Sequence, residues 1–435
     1  MKQSVARSAE SPQGAKSPRR DWLLLSLLSL ITICILCAST ELLARRMFAS
    51  KGSVNDCMVM NDPSTGIRAI PNSVCWEKSP EGPLVEYRFN DCGDRTDVEC
   101  GRKPKGSYRI VIAGSSIPMG ARVPAEKTFA SLLPAELSRQ TGREIEIYNA
   151  AVYRERPPAL ALRFKEILAQ QPDLILWVIT PMDIQEVSDS MPAQGPQKSG
   201  EGFLEKSLNR AKEGIASGRF ADAAGDIWSY SKSAMMLRHF LYSSQSRYTQ
   251  SLVMGGDYET GYLKAHPSAA WQDRMRQLDI YAAEIEAEAK SAGVPFAAVL
   301  LPNRAEAAML SMNRRPAQFN PYELDDELCA MVTSHGGIYL DILPRFHRLL
   351  NTDRFFYPVD VHPNADGQAA FAEVLDKELT GGAIPALKSK GTTQVPSTLE
   401  RYVWRQLHFN SYSLGWRQRW SLTSAVLAHG VRLCL

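Results

Sequence analysis

The stretch SYRIVIAGSSIPMG, residues 107–120, decides how the rest of this chain is organised. Residues 108–113 form a β-branched, apolar run bounded by glycines, which is the pattern of a strand buried on both faces. Two serines follow the last glycine, and a helical pattern opens near Glu126. A serine in such a turn exposes its hydroxyl at the carboxyl end of a sheet, beside unpaired backbone N–H groups. This geometry suits a nucleophile whose oxyanion needs donors nearby.

Strand and helix patterns alternate along the chain after this turn. Further strands are predicted at 144–148, 173–180, 295–301 and 337–342. Helices are predicted at 126–140, from Pro157 onward, and at 267–292, 321–334 and 365–379. Strands separated by helices imply right-handed crossovers and a parallel sheet covered on both faces. The sequence therefore predicts an α/β fold, a flavodoxin-like three-layer sandwich with a parallel sheet of about five strands, in which residues 201–265 form a helical insertion or lid.

Chemistry-bearing residues follow the predicted strands at one edge of this sheet: Ser116, Asn149, Ala151, Asp183, Asp360 and His362. Because the carboxyl ends of parallel strands meet at the same edge, we expect these residues to lie together. Ser116 is then the nucleophile, His362 takes its proton and later returns it, and Asp360 orients the imidazole. The backbone N–H groups of Ser116 and Ala151 would hold the oxyanion, with Asn149 and Asp183 in supporting positions.

The same residues also have structural interpretations. The serines could be small residues that let a helix approach the strand, and Asp360 could cap the last helix. Asp183 is expected to hold the turn after the third strand rather than to react, and Asn149 to satisfy backbone groups. Their occurrence together along one sheet edge favours a shared site.

Four blocks of sequence resemble those of the SGNH/GDSL hydrolase superfamily: Gly114-Ser-Ser-x-x-x-Gly120, Asn149-Ala-Ala151, Pro181-Met-Asp183 and Asp360-Val-His362-Pro-Asn. The segment YRFNDCGDR at 87–95 also resembles the N-x-x-G-x-R lead-in of membrane-anchored bacterial members. The resemblance covers residues 85–185 and 295–380. It implies a serine ester hydrolase or O-acyltransferase without metal or cofactor. In bacteria such members are often linked to O-acyl groups on cell-envelope polysaccharides.

The chain departs from the pattern of this family in each block. Ser115 replaces the usual aspartate, which leaves the nucleophile open between Ser115 and Ser116, although the spacing to Gly120 favours Ser116. The last block reads D-x-H where D-x-x-H is usual, and this changes how Asp360 faces His362.

The oxyanion positions depart further. Ala151 stands where the family has glycine, and Met182 stands where it has an asparagine whose amide completes the oxyanion hole. Methionine cannot donate, and losing one such donor costs roughly 3 kcal/mol of transition-state stabilisation. Asn149 could supply the missing donor. The alternative to an enzyme is a catalytically degenerate SGNH-like module that binds glycan or scaffolds an envelope assembly complex.

The N-terminal region predicts a membrane anchor. Residues 1–20 form a polar, basic tail, and residues 22–40 are 19 apolar or uncharged residues, long enough to cross a bilayer. We interpret residues 21–43 as an uncleaved signal anchor in the bacterial inner membrane, with the N-terminus in the cytoplasm and the remainder periplasmic. A cleaved signal peptide is the competing interpretation.

Cysteine use agrees with an oxidising compartment. Of the eight cysteines, Cys57, Cys75, Cys92 and Cys100 lie in a loop-rich segment at 47–105, which predicts two disulfides. The pairing Cys57–Cys75 and Cys92–Cys100 is favoured because short loops close most easily. A zinc site is the alternative, but the spacing lacks a C-x₂-C pair. Cys329 is expected as a buried thiol in a helix.

Charge and composition exclude some partners. A formal net charge of +3 in 435 residues, with no basic stripe, argues against nucleic acid. The remaining histidines have no ligand spacing, so no metal is predicted. Residues 381–435 are a linker followed by an aromatic, basic tail that suits either a membrane interface or packing on the domain. The expected partners are an acyl-ester or glycan substrate, the lipid bilayer and envelope assembly proteins.

Overall fold

The computed structural model describes residues 19–187, 231–256, 260–312, 314–349 and 351–390. Several predictions lie outside these ranges. They concern the basic tail before residue 19, the first part of the insertion at 201–230, and the aromatic tail after residue 390.

The chain begins with one long helix, α1 (Arg19–Met47). Residues 22–47 of this helix are long enough to cross a membrane and contain an 18-residue apolar window, which is not buried by the rest of the protein. A membrane anchor and a signal sequence both fit this observation.

The segment at 47–105 holds five short strands rather than loops alone: β1 (Lys51–Gly52), β2 (Met58–Asp62), β3 (Gly66–Ala69), β4 (Val74–Lys78) and β5 (Leu84–Arg88). They form a three-stranded antiparallel sheet in the order β1-β4-β5 and a β2-β3 hairpin. Strands of two to five residues broken by proline and glycine are too short for a clear period-two pattern. Disulfides join Cys57 to Cys75 and Cys92 to Cys100, which is the pairing that closes the shorter loops.

The main sheet confirms the predicted α/β class. Its strands are β6 (Tyr108–Gly114), β7 (Ile145–Asn149), β8 (Leu174–Ile179), β9 (Phe296–Leu300) and β10 (Ile338–Tyr339). They are all parallel, in the order β10-β9-β8-β6-β7. Strands β6, β8 and β9 are buried along their whole length, which explains their continuous apolar runs. Strand β10 is shorter than predicted and pairs only with β9, at one edge of the sheet.

Helices connect and cover these strands. They are α2 (Ser116–Met119), α3 (Phe129–Thr141), α4 (Pro157–Ala169), α5 (Pro181–Gln185), α6 (Lys232–Tyr242), α7 (Gln245–Val253), α8 (Ala269–Ser291), α9 (Arg304–Leu310), α10 (Glu323–His335), α11 (Leu343–His347) and α12 (Ala365–Thr380). Helix α3 packs against α12, and α4 and α10 pack against α8. Cys329 is buried in α10, as predicted, but it is disulfide-bonded, so the expectation of a free thiol at this position is wrong.

Two apolar cores hold these parts. The larger core lies between the main sheet and its helices. The smaller core joins the segment at 47–105 to the loops after β6 and β7, where Met119, Ala121, Ala151 and Val152 contribute. The small strands therefore pack directly on the carboxyl edge of the main sheet.

The described part of the insertion packs on the end of α1. Glu41 in α1 accepts hydrogen bonds from the Ser231 hydroxyl at 2.9 Å and the Ser233 N–H at 3.0 Å, at the N-terminus of α6. The rings of Phe48 and His239 meet edge to face with centroids 5.3 Å apart. Helix α6 thus runs beside the last turns of α1.

Candidate active site

Two glycines shape the turn that follows β6. Gly114 has φ +141°, and a Cβ at this position would lie 2.5 Å from the Val178 carbonyl oxygen. Gly120 has φ +82°, and a Cβ there would lie 2.3 Å from Thr128 Cγ2. Only glycine fits both backbones without a clash. Between them, Ser116 begins the short helix α2 at the carboxyl edge of the sheet.

The two adjacent serines point to different partners. The Ser116 Oγ lies 3.0 Å from His362 Nε2. The Ser115 hydroxyl bonds instead to Asp183, which also accepts hydrogen bonds from the N–H and the hydroxyl of Thr180, both at 2.8 Å. Burial raises the pKa of Asp183 to about 7, against the hydrogen bonds from Ser115 and Thr180. Asp183 therefore holds the turn before α5 and lies beside the second serine, not beside His362.

Asp360 completes a line of three side chains. Its Oδ1 lies 2.6 Å from His362 Nδ1, on the opposite side of the ring from Ser116. Burial alone would raise the pKa of Asp360, but the hydrogen bond from His362 and the charges of His362 and Arg122 outweigh it and lower the pKa to about 2. Asp360 is therefore ionised at pH values well above 2, and in this form it accepts a hydrogen bond from His362 Nδ1 and orients the imidazole.

The shortened D-x-H spacing is accommodated by the residue in its middle. Val361 has φ +61°, a left-handed conformation that is unusual for a β-branched side chain. Such a residue costs about 1–3 kcal/mol and persists only where its surroundings hold it. Its N–H donates to the Tyr357 carbonyl at 3.2 Å. The left-handed residue turns Asp360 back toward His362 across one intervening position.

Arg122 supports Asp360 from the other side. Its Nε donates to Asp360 Oδ2 at 3.2 Å, and its guanidinium also pairs with Glu77. The Arg122 backbone N–H donates to the Tyr87 hydroxyl at 2.9 Å, and Arg122 has φ +69°. Sequence reasoning did not identify these residues. No spacing links Glu77 and Tyr87 in the small sheet to Asp360, which follows the last strand of the main sheet.

The Glu81 side chain supports the same turn by accepting hydrogen bonds from the backbone of the turn. Its Oε2 accepts the Val359 N–H at 2.9 Å and the Asp360 N–H at 2.7 Å, and its Oε1 lies 2.6 Å from His239 Nδ1. The carboxylate is almost fully buried, with 1% of the side chain exposed. This residue was also not identified from the sequence, because it lies in a turn between β4 and β5 with no recognisable motif.

Arg95, at the end of the lead-in segment, supports the serine turn. Its guanidinium donates to the carbonyl oxygens of Met119 at 3.0 Å, Gly120 at 2.6 Å and Val123 at 2.8 Å. It also lies over the Tyr87 ring, 4.4 Å from the centroid. Burial lowers the pKa of Arg95 to about 10, which leaves it charged. The conformation of the turn that presents Ser116 thus depends on a buried cation from the N-terminal segment.

The expected oxyanion donors are only partly free. The Ser116 N–H is at the first residue of α2, where a helix leaves its N–H groups unpaired. The Ala151 N–H points to Asn149 Oδ1 at 3.4 Å, a long hydrogen bond. Asn149 is buried, and its amide donates to the Pro118 carbonyl at 3.0 Å, so it joins two loops instead of facing the site. Met182, in α5, is 39% exposed and offers no donor.

One group of side chains in the described ranges has metal-ligand spacing. Ligand atoms of Asp91, Cys92 and Cys100 lie within 4.8 Å of one another. The two cysteines form a disulfide, which removes their thiolates as ligands. The zinc alternative for this segment is therefore not supported, and the absence of a metal or cofactor stays a prediction.

Comparisons with known proteins give distant likenesses. No family model matches the chain, and no curated protein matches it. Among solved structures, a mutant acetyl-xylooligosaccharide esterase from Geobacillus Stearmophilus has 11% identity and a TM-score of 0.35, over 67% of this chain and 100% of that one. TesA has 12% identity and a TM-score of 0.33, over 64% and 98%. The lipase/acylhydrolase from Enterococcus faecalis has 12% identity and a TM-score of 0.33, over 63% and 96%.

Proposed function

We propose that this chain is a serine ester hydrolase or O-acyltransferase, anchored in a bacterial inner membrane with its α/β domain outside the cytoplasm, that acts on acyl esters of an envelope polysaccharide. The observation that carries the proposal is the line from Ser116 Oγ to His362 Nε2, 3.0 Å, and from His362 Nδ1 to Asp360 Oδ1, 2.6 Å. These distances are those of a nucleophile, a general base and the group that orients the base.

The first half of the reaction forms an acyl-enzyme. His362 Nε2 takes the proton of the Ser116 hydroxyl as its oxygen attacks the ester carbonyl carbon. Asp360, ionised and bonded to Nδ1, stabilises the imidazolium that forms. Collapse of the tetrahedral intermediate breaks the bond to the alcohol oxygen, which receives the proton from Nε2. The Ser116 N–H is the first donor to the oxyanion, and Ala151 N–H becomes a second donor by leaving its long bond to Asn149.

The second half of the reaction releases the acyl group. A water molecule, or a hydroxyl of an acceptor glycan, gives its proton to His362 Nε2 and attacks the acyl-enzyme carbonyl. Collapse of this second tetrahedral intermediate breaks the bond between the acyl carbon and Ser116 Oγ, and the Oγ takes back the proton from His362 Nε2. Hydrolysis and transfer differ only in this acceptor. The side chains in line with Ser116 are the same for both outcomes.

The location outside the cytoplasm rests on separate features. The apolar helix α1 is of spanning length, and the disulfides Cys57–Cys75 and Cys92–Cys100 suit an oxidising compartment. Helix α6 packs along the last turns of α1, which supports an uncleaved anchor because cleavage would expose that contact.

The test is labelling of the full-length protein in detergent with a fluorophosphonate, combined with hydrolysis of p-nitrophenyl acetate. We expect labelling in the wild type and in Ser115→Ala, and none in Ser116→Ala. Absence of both labelling and hydrolysis in the wild type would reject the proposal. Labelling lost only in Ser115→Ala would move the nucleophile to the neighbouring residue.

A second candidate function is supported by the oxyanion positions. Met182 cannot donate, and the Ala151 N–H already has an acceptor. A chain without an effective oxyanion hole would serve as an SGNH-like module that binds glycan or scaffolds an envelope assembly complex. Acetylated-glycan binding by the wild type without turnover would favour this second function.

A further inference from the structure

We infer that Glu81 is a positioning residue for the proposed reaction, holding the Asp360–His362 turn in the geometry that the chemistry needs. The inference rests on the proposed function for its kinetic consequence, but its structural content stands without it. Glu81 comes from the segment at 47–105, outside every block of sequence that predicted the site.

The first argument is the hydrogen bonding of the turn. The Val359 and Asp360 N–H groups precede the left-handed residue Val361, and both donate to Glu81 Oε2, at 2.9 and 2.7 Å. A carboxylate that accepts hydrogen bonds from two successive backbone N–H groups holds them strongly, because hydrogen bonds to an ionised acceptor are stronger than neutral ones. Because its side chain is almost fully buried, water cannot easily replace it.

The second argument is the strained backbone at Val361. A β-branched residue at φ +61° returns toward extended backbone unless neighbouring contacts oppose it. Glu81 holds the residues just before it, and the bridge between Phe356 and Pro363 holds the residues on either side. Loss of Glu81 removes the acceptor of the Val359 and Asp360 N–H groups, while Arg122 still pairs with the Asp360 side chain. Asp360 would then move relative to His362.

The third argument is that Glu81 is itself held in place. Its Oε1 lies 2.6 Å from His239 Nδ1 on α6, and the His239 ring packs against Phe48 beside the end of α1. The orientation of the Asp360 turn therefore also depends on the packing of α6 against the end of α1. The Glu81 carboxylate connects α6 to the Asp360 turn.

The test compares two substitutions in the full-length protein. Glu81→Gln keeps an oxygen that can accept both N–H groups, whereas Glu81→Ala keeps none. We expect Glu81→Ala to lower kcat for p-nitrophenyl acetate by about 10- to 100-fold with little change in KM, since small displacements of reacting groups act on the chemical step. Glu81→Gln should retain most of kcat. The matched control is Glu86→Ala, whose side chain lies on β5 and pairs with exposed Arg88.

A double-mutant cycle identifies the mechanism of the loss. Glycine adopts φ +61° without strain, so Val361→Gly should reduce the effect of Glu81→Ala at least threefold. A general loss of folding would not be relieved in this way. An equal effect of Glu81→Ala in both backgrounds would overturn the inference.

Amide hydrogen exchange provides a readout that needs no activity. In the peptide spanning 356–364, Glu81→Ala should speed exchange at Val359 and Asp360 at least tenfold, with β6 and β8 unchanged, while Glu81→Gln stays near wild type. Unchanged exchange in Glu81→Ala would refute the inference. A wild type that neither hydrolyses esters nor labels would reject the proposed function alone, and exchange would still decide the role of Glu81.

Discussion

The carboxyl edge of the main sheet and the segment at 47–105 contribute to the candidate site in different ways. The main domain supplies the side chains in line, Ser116, His362 and Asp360. The N-terminal segment supplies no reacting group, yet its charged side chains Arg95, Glu81 and Glu77 contact the loops that carry all three. The reactive groups therefore come from the main domain, and several of the groups that orient them come from the segment at 47–105.

The two regions are also stabilised differently. The main sheet is held by apolar strands buried on both faces and by the helices that cover them. The segment has a small core and short strands, and it relies on two disulfides and on hydrogen bonds that Arg95 donates and Glu81 accepts. A small region of this kind needs such cross-links because its core is too limited to hold it alone. Damage to it should affect the site before it affects the main sheet.

The largest expected effect tests the main domain. Asp360→Asn should lower kcat/KM for p-nitrophenyl acetate by about 10⁴-fold, because an amide favours the wrong tautomer of His362. The control is Asp97→Asn, an exposed acid in the N-terminal segment. A decrease in kcat/KM of less than tenfold in Asp360→Asn would mean that Ser116, His362 and Asp360 do not carry out the reaction together.

The next effect concerns stability near the serine turn. The ordinary pKa of Asp183 is 3.8 and burial raises it to about 7, so its ionisation opposes folding and the free energy of unfolding falls as pH rises between these values. Asp183→Asn removes this fall. Relative to wild type, the variant should gain roughly 4 kcal/mol between pH 4 and pH 8. Denaturant titrations at both pH values measure the gain, and a pH-independent difference would contradict it.

A smaller effect tests the N-terminal segment. Replacing Cys57 and Cys75 together by serine removes a disulfide that joins residues 18 positions apart, and it should cost about 3 kcal/mol of local stability. We expect esterase activity to be lost at a lower temperature while exchange protection of β6, β8 and β9 persists. The matched control replaces Cys34 and Cys37 by serine, which are free in α1. Simultaneous loss of both signals would show that the two regions unfold together.

The smallest effect is a gain of function at the sheet edge. Met182→Asn restores the amide donor of the third block and should raise kcat about 10-fold or more, because one oxyanion donor is worth 10²–10³ in kcat where it is well placed. Met182→Leu is the control and should leave kcat near wild type. No gain in Met182→Asn would indicate that another group already fills the donor position.

The strands of the main sheet could be predicted because complete burial produces continuous apolar runs, as in β6 and β8. The strands of the N-terminal segment could not, since two to five residues give no period and their pairing depends on disulfides. Ser116, Asp360 and His362 were placed together from the rule that parallel strands end at one edge. Asn149 had two interpretations from the sequence, a donor to the site or a residue that satisfies backbone groups, and its hydrogen bonds to Pro118 and Ala151 fit the second.

The sequence by itself determined the α/β class, the spanning-length helix and the edge of the sheet at which the candidate residues meet. Each follows from hydrophobic periodicity, which is a property of neighbouring residues. Only the tertiary structure decided that Ser116 rather than Ser115 faces His362, that Val361 turns the shortened D-x-H block, and that the Glu81 side chain is buried beneath it. The contacts Ser116–His362 and Glu81–Asp360 join residues more than 200 positions apart, and a buried charge such as Glu81 persists only where the fold brings it a partner.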